Sequence, residues 1–157
     1  MNRMLLLIVM LLTSLTASAS EHAPWGKAEV AKRDYQPQKV VYDVAVSNRK
    51  EFEQVLDRVS YLSKVYHADP FSASIVLVLH GNEIPFFAIK NYLKYQDLVT
   101  RARSLTVGDV IDIRMCKIAA RGHGYEPGQI HGFVNMVPMA DAEIIRLQQE
   151  EEYAYMQ

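Results

Sequence analysis

The chain has 157 residues, a formal net charge of −1, and a composition that is 50% hydrophobic and 22% charged. A near-neutral balance without a long basic block argues against nucleic acid and anionic membrane surfaces as partners. A single cysteine excludes an internal disulfide.

The first residues, MNRMLLLIVMLLTSLTASAS, place Arg3 before an apolar run that begins at Leu5 and end in Ala17-Ser18-Ala19. This is the pattern of a secretory signal peptide over residues 1–19, cut after Ala19. The apolar run is too short for the roughly 20 residues of a spanning helix, so no stable membrane anchor is expected after cleavage. Cleavage there exposes Ser20-Glu21-His22, whose amine, amide nitrogens and imidazole can form a square-planar copper or nickel chelate. No resident metal or cofactor is expected elsewhere, because Cys116, His123 and His131 do not stand at the short pair spacings of zinc sites. Residues 20–38 mix charge with Pro24, Gly26 and Pro37 and lack apolar periodicity, which reads as a poorly ordered arm.

The domain is expected over residues 39–157. KVVYDVAVS, residues 39–47, is β-branched and short, a buried strand running into a loop at Ser47-Asn48. From residue 50 to 67, Phe52, Val55, Leu56, Val59 and Leu62 recur at helical steps, with Ser47 or Asn48 as the cap. Asp69-Pro70 stops that helix. SASIVLVLHG, residues 72–81, is a continuous apolar run closed by His80-Gly81, as in a strand buried on both faces. Pro85 can open a helix, and the following segment supplies one long or two broken helical stretches. VIDIRMC, residues 110–116, is a third strand, and the basic, glycine-rich residues 117–129 open with a turn that can be helical. HGFVNMVPM, residues 131–139, reads as a fourth strand. ADAEIIRLQQEEE, residues 140–152, reads as a helix with Ile144, Ile145, Leu147 and Gln148 near its inner face, and YAYM as a fifth strand. Strands alternating with helices imply right-handed crossovers and an α/β/α three-layer domain with a mostly parallel sheet.

In such sheets reactive groups gather beyond the carboxyl ends of the strands. Cys116, His80-Gly81 and Ser47-Asn48 all fall there. Free cysteine is commonly a small buried apolar residue. Against that reading, Arg114 and Lys117 flank Cys116 and the start of a helix follows it, which favour a thiolate. His80 can exchange a proton with a neighbouring thiol or anion; backbone satisfaction at the strand end is the competing account. Gly81 permits a tight turn. His123 lies between glycines in a loop that can cover the site. Phe86, Phe87, Tyr92 and Tyr95 can line a cleft or subunit contact, with about half of them expected in the core. No G-x-G-x-x-G, G-x-x-x-x-G-K or serine nucleophile-elbow motif occurs.

The order of KVVYDVAVS, IVLVLHG, VIDIRMCKIAA and VNMVPMADAEIIRLQQEEEYAYMQ resembles the DsrE/DsrF-like sulfur-relay family, including its YchN-like members, over nearly the whole domain. The resemblance implies a parallel five-stranded α/β/α fold and assembly into trimers or hexamers. It also implies a cysteine that carries sulfur as a persulfide, for which Cys116 is the match, with a sulfur donor and acceptor as partners. Arg114, Lys117 or His80 would stabilise the anionic states. Where the family carries a glycine before its last strand, this chain has Glu150-Glu151-Glu152. A noncatalytic oligomeric module that binds at the strand-end cleft is the alternative expectation.

Overall fold

The computed structural model describes residues 25–157; the expected signal peptide and the Ser20-Glu21-His22 chelate lie outside these residues. Residues 25–37 contain neither helix nor strand, and the domain unit begins at Tyr35. Among the described residues no helix is long and apolar enough to cross a membrane.

β1 (Gln38–Val44) is an interior strand of the sheet and ends three residues before the expected Ser47, because the chain turns away to reach the next helix. That helix, α1 (Arg49–Val65), is capped by Asn48. The Asn48 side chain accepts the Glu51 amide N–H at 3.0 Å, while the Glu51 carboxylate accepts the Ser47 amide N–H at 2.8 Å. One orphan donor of the first turn and the amide just ahead of the cap are thereby satisfied. β2 (Ala73–Leu79) is buried along almost its whole length, as its unbroken apolar run requires. Two 3-10 turns (Ile84–Phe87 and Ile89–Asn91) then lead into α2 (Tyr92–Leu105), which settles the choice in favour of a broken stretch. β3 (Ile111–Cys116) is followed without a gap by the short α3 (Lys117–Gly122).

The fourth strand is the largest departure from expectation. Only β4 (Asn135–Val137) pairs with the sheet, against nine residues expected. Upstream, Ile130 bridges Ala88 and the His131 amide donates to the Phe87 carbonyl at 3.0 Å, so this segment fastens to the α2 connection instead of the sheet. α4 (Ala140–Glu151) and β5 (Ala154–Met156) complete the chain. α4 buries Ala140, Ile144 and Leu147, whereas Ile145, expected inside, is 52% exposed and Gln148 is also exposed. An inner stripe stepping four and then three residues leaves no place for its neighbours.

The five strands are all parallel, in the order β4-β3-β2-β1-β5. Helices cover both faces, which makes the domain α/β/α. On one face Val40, Tyr42, Ile75, Leu77, Leu79, Ile113 and Met115 pack against α1, α2 and the aromatic turns. Phe87 meets Phe52 edge-on at 5.5 Å between ring centroids, and Tyr95 lies 4.8 Å from Phe86. Of the four aromatics weighed as a cleft lining, Phe86 and Phe87 are core, while Tyr92 and Tyr95 are partly buried. On the other face a narrower apolar strip, Val41, Val76, Val78 and Cys116, lies with Ala140, Ile144 and Leu147 of α4 and with Tyr153.

Candidate functional site

Parallel strands bring their carboxyl ends to one edge, and the register decides which side chains meet there. Leu79 of β2 stands opposite Met115 of β3, so the next residues, His80 and Cys116, follow side by side on neighbouring strands. Neighbouring strands lie about 4.8 Å apart. Both residues point to the α4 face. Cys116 belongs to its apolar strip, and His80 bonds to Asp43, which alternates in phase with Val41 on β1.

Cys116 is 5% exposed. Its Sγ is the N-cap acceptor of α3, taking the Ala119 amide N–H at 3.4 Å. The sulfur thus occupies a position normally held by a serine or aspartate oxygen, where a donated amide favours negative charge. Lys117 is the first residue of α3 and adds a cation beside it in sequence.

The imidazole of His80 is held from the side away from Cys116. Its Nε2 lies 2.5 Å from Asp43 Oδ1, and Asp43 Oδ2 accepts the Tyr155 hydroxyl at 2.6 Å. Tyr155 comes from β5, where it stands opposite Val41. The bond to Asp43 is the chief reason that its phenol titrates above its ordinary value of 10.0. Four strands therefore contribute one row: Tyr155, Asp43, His80 and Cys116. A groove of about 440 Å³ opens beside this row, lined by Asp43, Ala45, Gln54, Arg58, His80 and Gln157.

Gly81 is required by close approach and not by a left-handed turn. A Cβ there would stand 2.6 Å from Ala45 Cα and 2.8 Å from Glu83 Oε2. The Glu83 carboxylate, with no exposed surface, explains the crowding: Oε1 accepts the Gly81 amide at 2.7 Å and Oε2 the Val46 amide at 3.0 Å. Burial raises its carboxyl above the ordinary range, and these amides pull it back down. Glu83 pins the loop after β1 to the loop after β2, which fixes the floor of the edge.

Two expected participants are engaged elsewhere. Arg114 Nε donates to Asp112 Oδ2 at 2.7 Å and its Nη1 to Glu143 of α4. Glu143 also accepts from Arg146, the main cause of its carboxyl lying below 4.5. Arg114 thus ties β3 to α4 and does not serve the thiol. His123 caps the far end of α3 and is exposed, a helix length from Cys116. His131 sits between Tyr92 and Phe133, with a buried Nε2 that has no hydrogen-bond partner; burial lowers its pKa. Among the described residues no group of three or more His, Cys, Asp or Glu is placed to hold a metal ion.

Asp43, Tyr155 and Glu83 were not singled out by the sequence. Asp43 left a trace, since a carboxylate inside KVVYDVAVS needs a partner if the strand is buried. Tyr155 and Glu83 left none, because their meaning depends on strand order and loop approach.

No family model and no curated protein matches the chain. Among solved structures it is similar to a protein of unknown function, MTH1491 from Methanobacterium thermoautotrophicum. The TM-score is 0.58 at 18% sequence identity, covering 76% of this chain and 97% of that one. This likeness concerns the fold.

Proposed function

We propose that this chain is an exported carrier of sulfane sulfur, which it takes up on Cys116 as a persulfide and passes to an acceptor thiol. The observation that carries the reading is the position of the Cys116 sulfur, at the carboxyl end of a central parallel strand and bonded by an α3 amide. The Ala119 amide supplies a donor that an anionic sulfur can accept, and it is the thiolate that attacks. In uptake from a persulfide donor, the Cys116 thiolate attacks the outer sulfur; a new S–S bond forms, the donor's S–S bond breaks, and the donor thiolate leaves. Release is the same exchange onto the acceptor thiol. The low exposure of Cys116 favours a small donor over a docked protein cysteine. Assembly into trimers or hexamers belongs to the same proposal.

Mass spectrometry after exposure to thiosulfate or polysulfide tests this. Addition of one or more sulfur atoms at Cys116, abolished by Cys116→Ser and reversed by a thiol, is expected. An unmodified Cys116 beside a modified control protein overturns it.

A second reading is a noncatalytic oligomeric binding module, favoured by the groove beside His80 and by the burial of Cys116. It expects Cys116→Ser to leave biological function intact while changes at His80 damage it.

A further inference from the structure

The row across the sheet carries a second consequence, which rests on the sulfur-carrier reading for its substrate but not for its geometry. A carboxylate only accepts hydrogen bonds. Asp43 receives the Tyr155 hydroxyl on Oδ2 and faces His80 Nε2 with Oδ1, so Nε2 carries the proton. In the neutral imidazole Nδ1 then holds the lone pair and is the basic atom. His80 stands on the strand next to Cys116, at the step that follows the last paired residues. Nucleophile, base and orienting carboxylate thus come from the carboxyl halves of three adjacent strands, with a hydroxyl from a fourth behind them.

We propose that His80 is the proton acceptor for the Cys116 thiol, with Asp43 and Tyr155 as positioning residues that fix its tautomer and orientation. The Cys116 S–H proton passes to His80 Nδ1 through one bridging water, since the sulfur and the imidazole make no direct hydrogen bond, leaving a thiolate and an imidazolium. With thiosulfate as donor, the thiolate attacks the sulfane sulfur. The new S–S bond forms as the donor's S–S bond breaks, and sulfite departs with the bonding pair. The proton on His80 returns to the persulfide or to solvent, so no outside oxidant or reductant is needed. The relay also gives Asp43 a use: buried strands seldom carry a carboxylate without a partner that needs it.

The test uses the full-length protein and reads two rates at one fixed near-neutral pH: capture of Cys116 by iodoacetamide, and persulfide formation from thiosulfate. Asp43→Asn is expected to slow both by about tenfold, because an amide can present an N–H to Nε2 and reverse the tautomer. Tyr155→Phe, which removes one exposed hydroxyl, is expected to slow both about twofold to threefold. His80→Ala is expected to lose the rate and regain part of it when imidazole is added, an effect that a merely structural histidine would not produce. If Asp43→Asn fails to fold, Tyr155→Phe and the imidazole rescue decide. Unchanged rates in folded His80→Ala, or a native Cys116 that iodoacetamide cannot modify, overturn the proposal. Sulfur uptake at unchanged rates in the variants would overturn the relay and leave the carrier reading standing. Altered alkylation with no sulfur uptake from any donor would do the reverse.

Discussion

The two faces of the sheet have different work. One is broad and dry, with aliphatic residues from β1, β2 and β3 interlocked with α1, α2 and the Phe86-Phe87 turn. The other is covered by α4, its apolar strip is narrow, and charged or polar side chains flank it: Arg114, Asp112 and Glu143 on one side, Asp43, His80 and Tyr155 on the other. A sheet anchored so fully on one face can carry polar and reactive groups on the other. The dry core and the polar row are separated by strand alternation, since successive residues on each strand serve opposite faces.

The sharpest way to break this comparison is to remove mass from the dry face. Phe52→Ala should cost about 3–5 kcal/mol in urea unfolding, because the cavity left against Phe86 and Phe87 cannot collapse inside an interlocked core. A cost near that of a surface change would show that the dry face is not the anchor. At the edge where the faces meet, Gly81→Ala should cost roughly 1–3 kcal/mol, since the added Cβ meets backbone that Glu83 holds in place. It should also slow Cys116 chemistry if the edge floor positions His80.

On the α4 face, the carboxyl of Glu143 is held below its ordinary 4.5 by Arg146 and then Arg114. Its contribution is therefore present above about pH 4.5 and is lost as pH falls through the lower folded-state value. Glu143→Gln should flatten that part of the acid limb in stability measured against pH, and an unaltered limb would detach α4 from this clamp. The smallest expected effect is a gain. Glu152, at the carboxyl end of α4, has φ of 61°, a left-handed conformation in a residue that carries a Cβ. Glu152→Gly should stabilise by up to about 1 kcal/mol, the relief being offset in part by a looser unfolded chain.

Most of the fold could be read from periodicity. The i, i+3, i+4 pattern of Phe52, Val55, Leu56 and Val59 and the unbroken run of β2 are local properties, and the structure keeps both elements within two residues of expectation. β4 was over-read because HGFVNMVPM looks uniformly strand-like, whereas the backbone of Ile130 and His131 is used by Phe87 and Ala88, far away in sequence. The site divides in the same way. Cys116 and His80 were visible because strand ends announce themselves in a sequence. Arg114 was misjudged because proximity in sequence to Cys116 says nothing about Asp112 and Glu143, which claim its guanidinium. Asp43 and Tyr155 required knowing that the last strand returns to pair beside the first.

That return has a dynamic meaning. β5 has three residues, occupies the outer edge of the sheet, and is tied down by contacts such as Arg58 to the Gln157 carbonyl and Lys39 to the Glu151 carbonyl. Short edge strands of this kind open at far lower free energy than central strands. Amide exchange should therefore be rapid along β5 while β2 stays protected. Each time β5 peels away, Asp43 loses the hydroxyl that steadies it, so the geometry at a central strand follows the opening of this edge, and a disturbance of β5 would be felt three strands away.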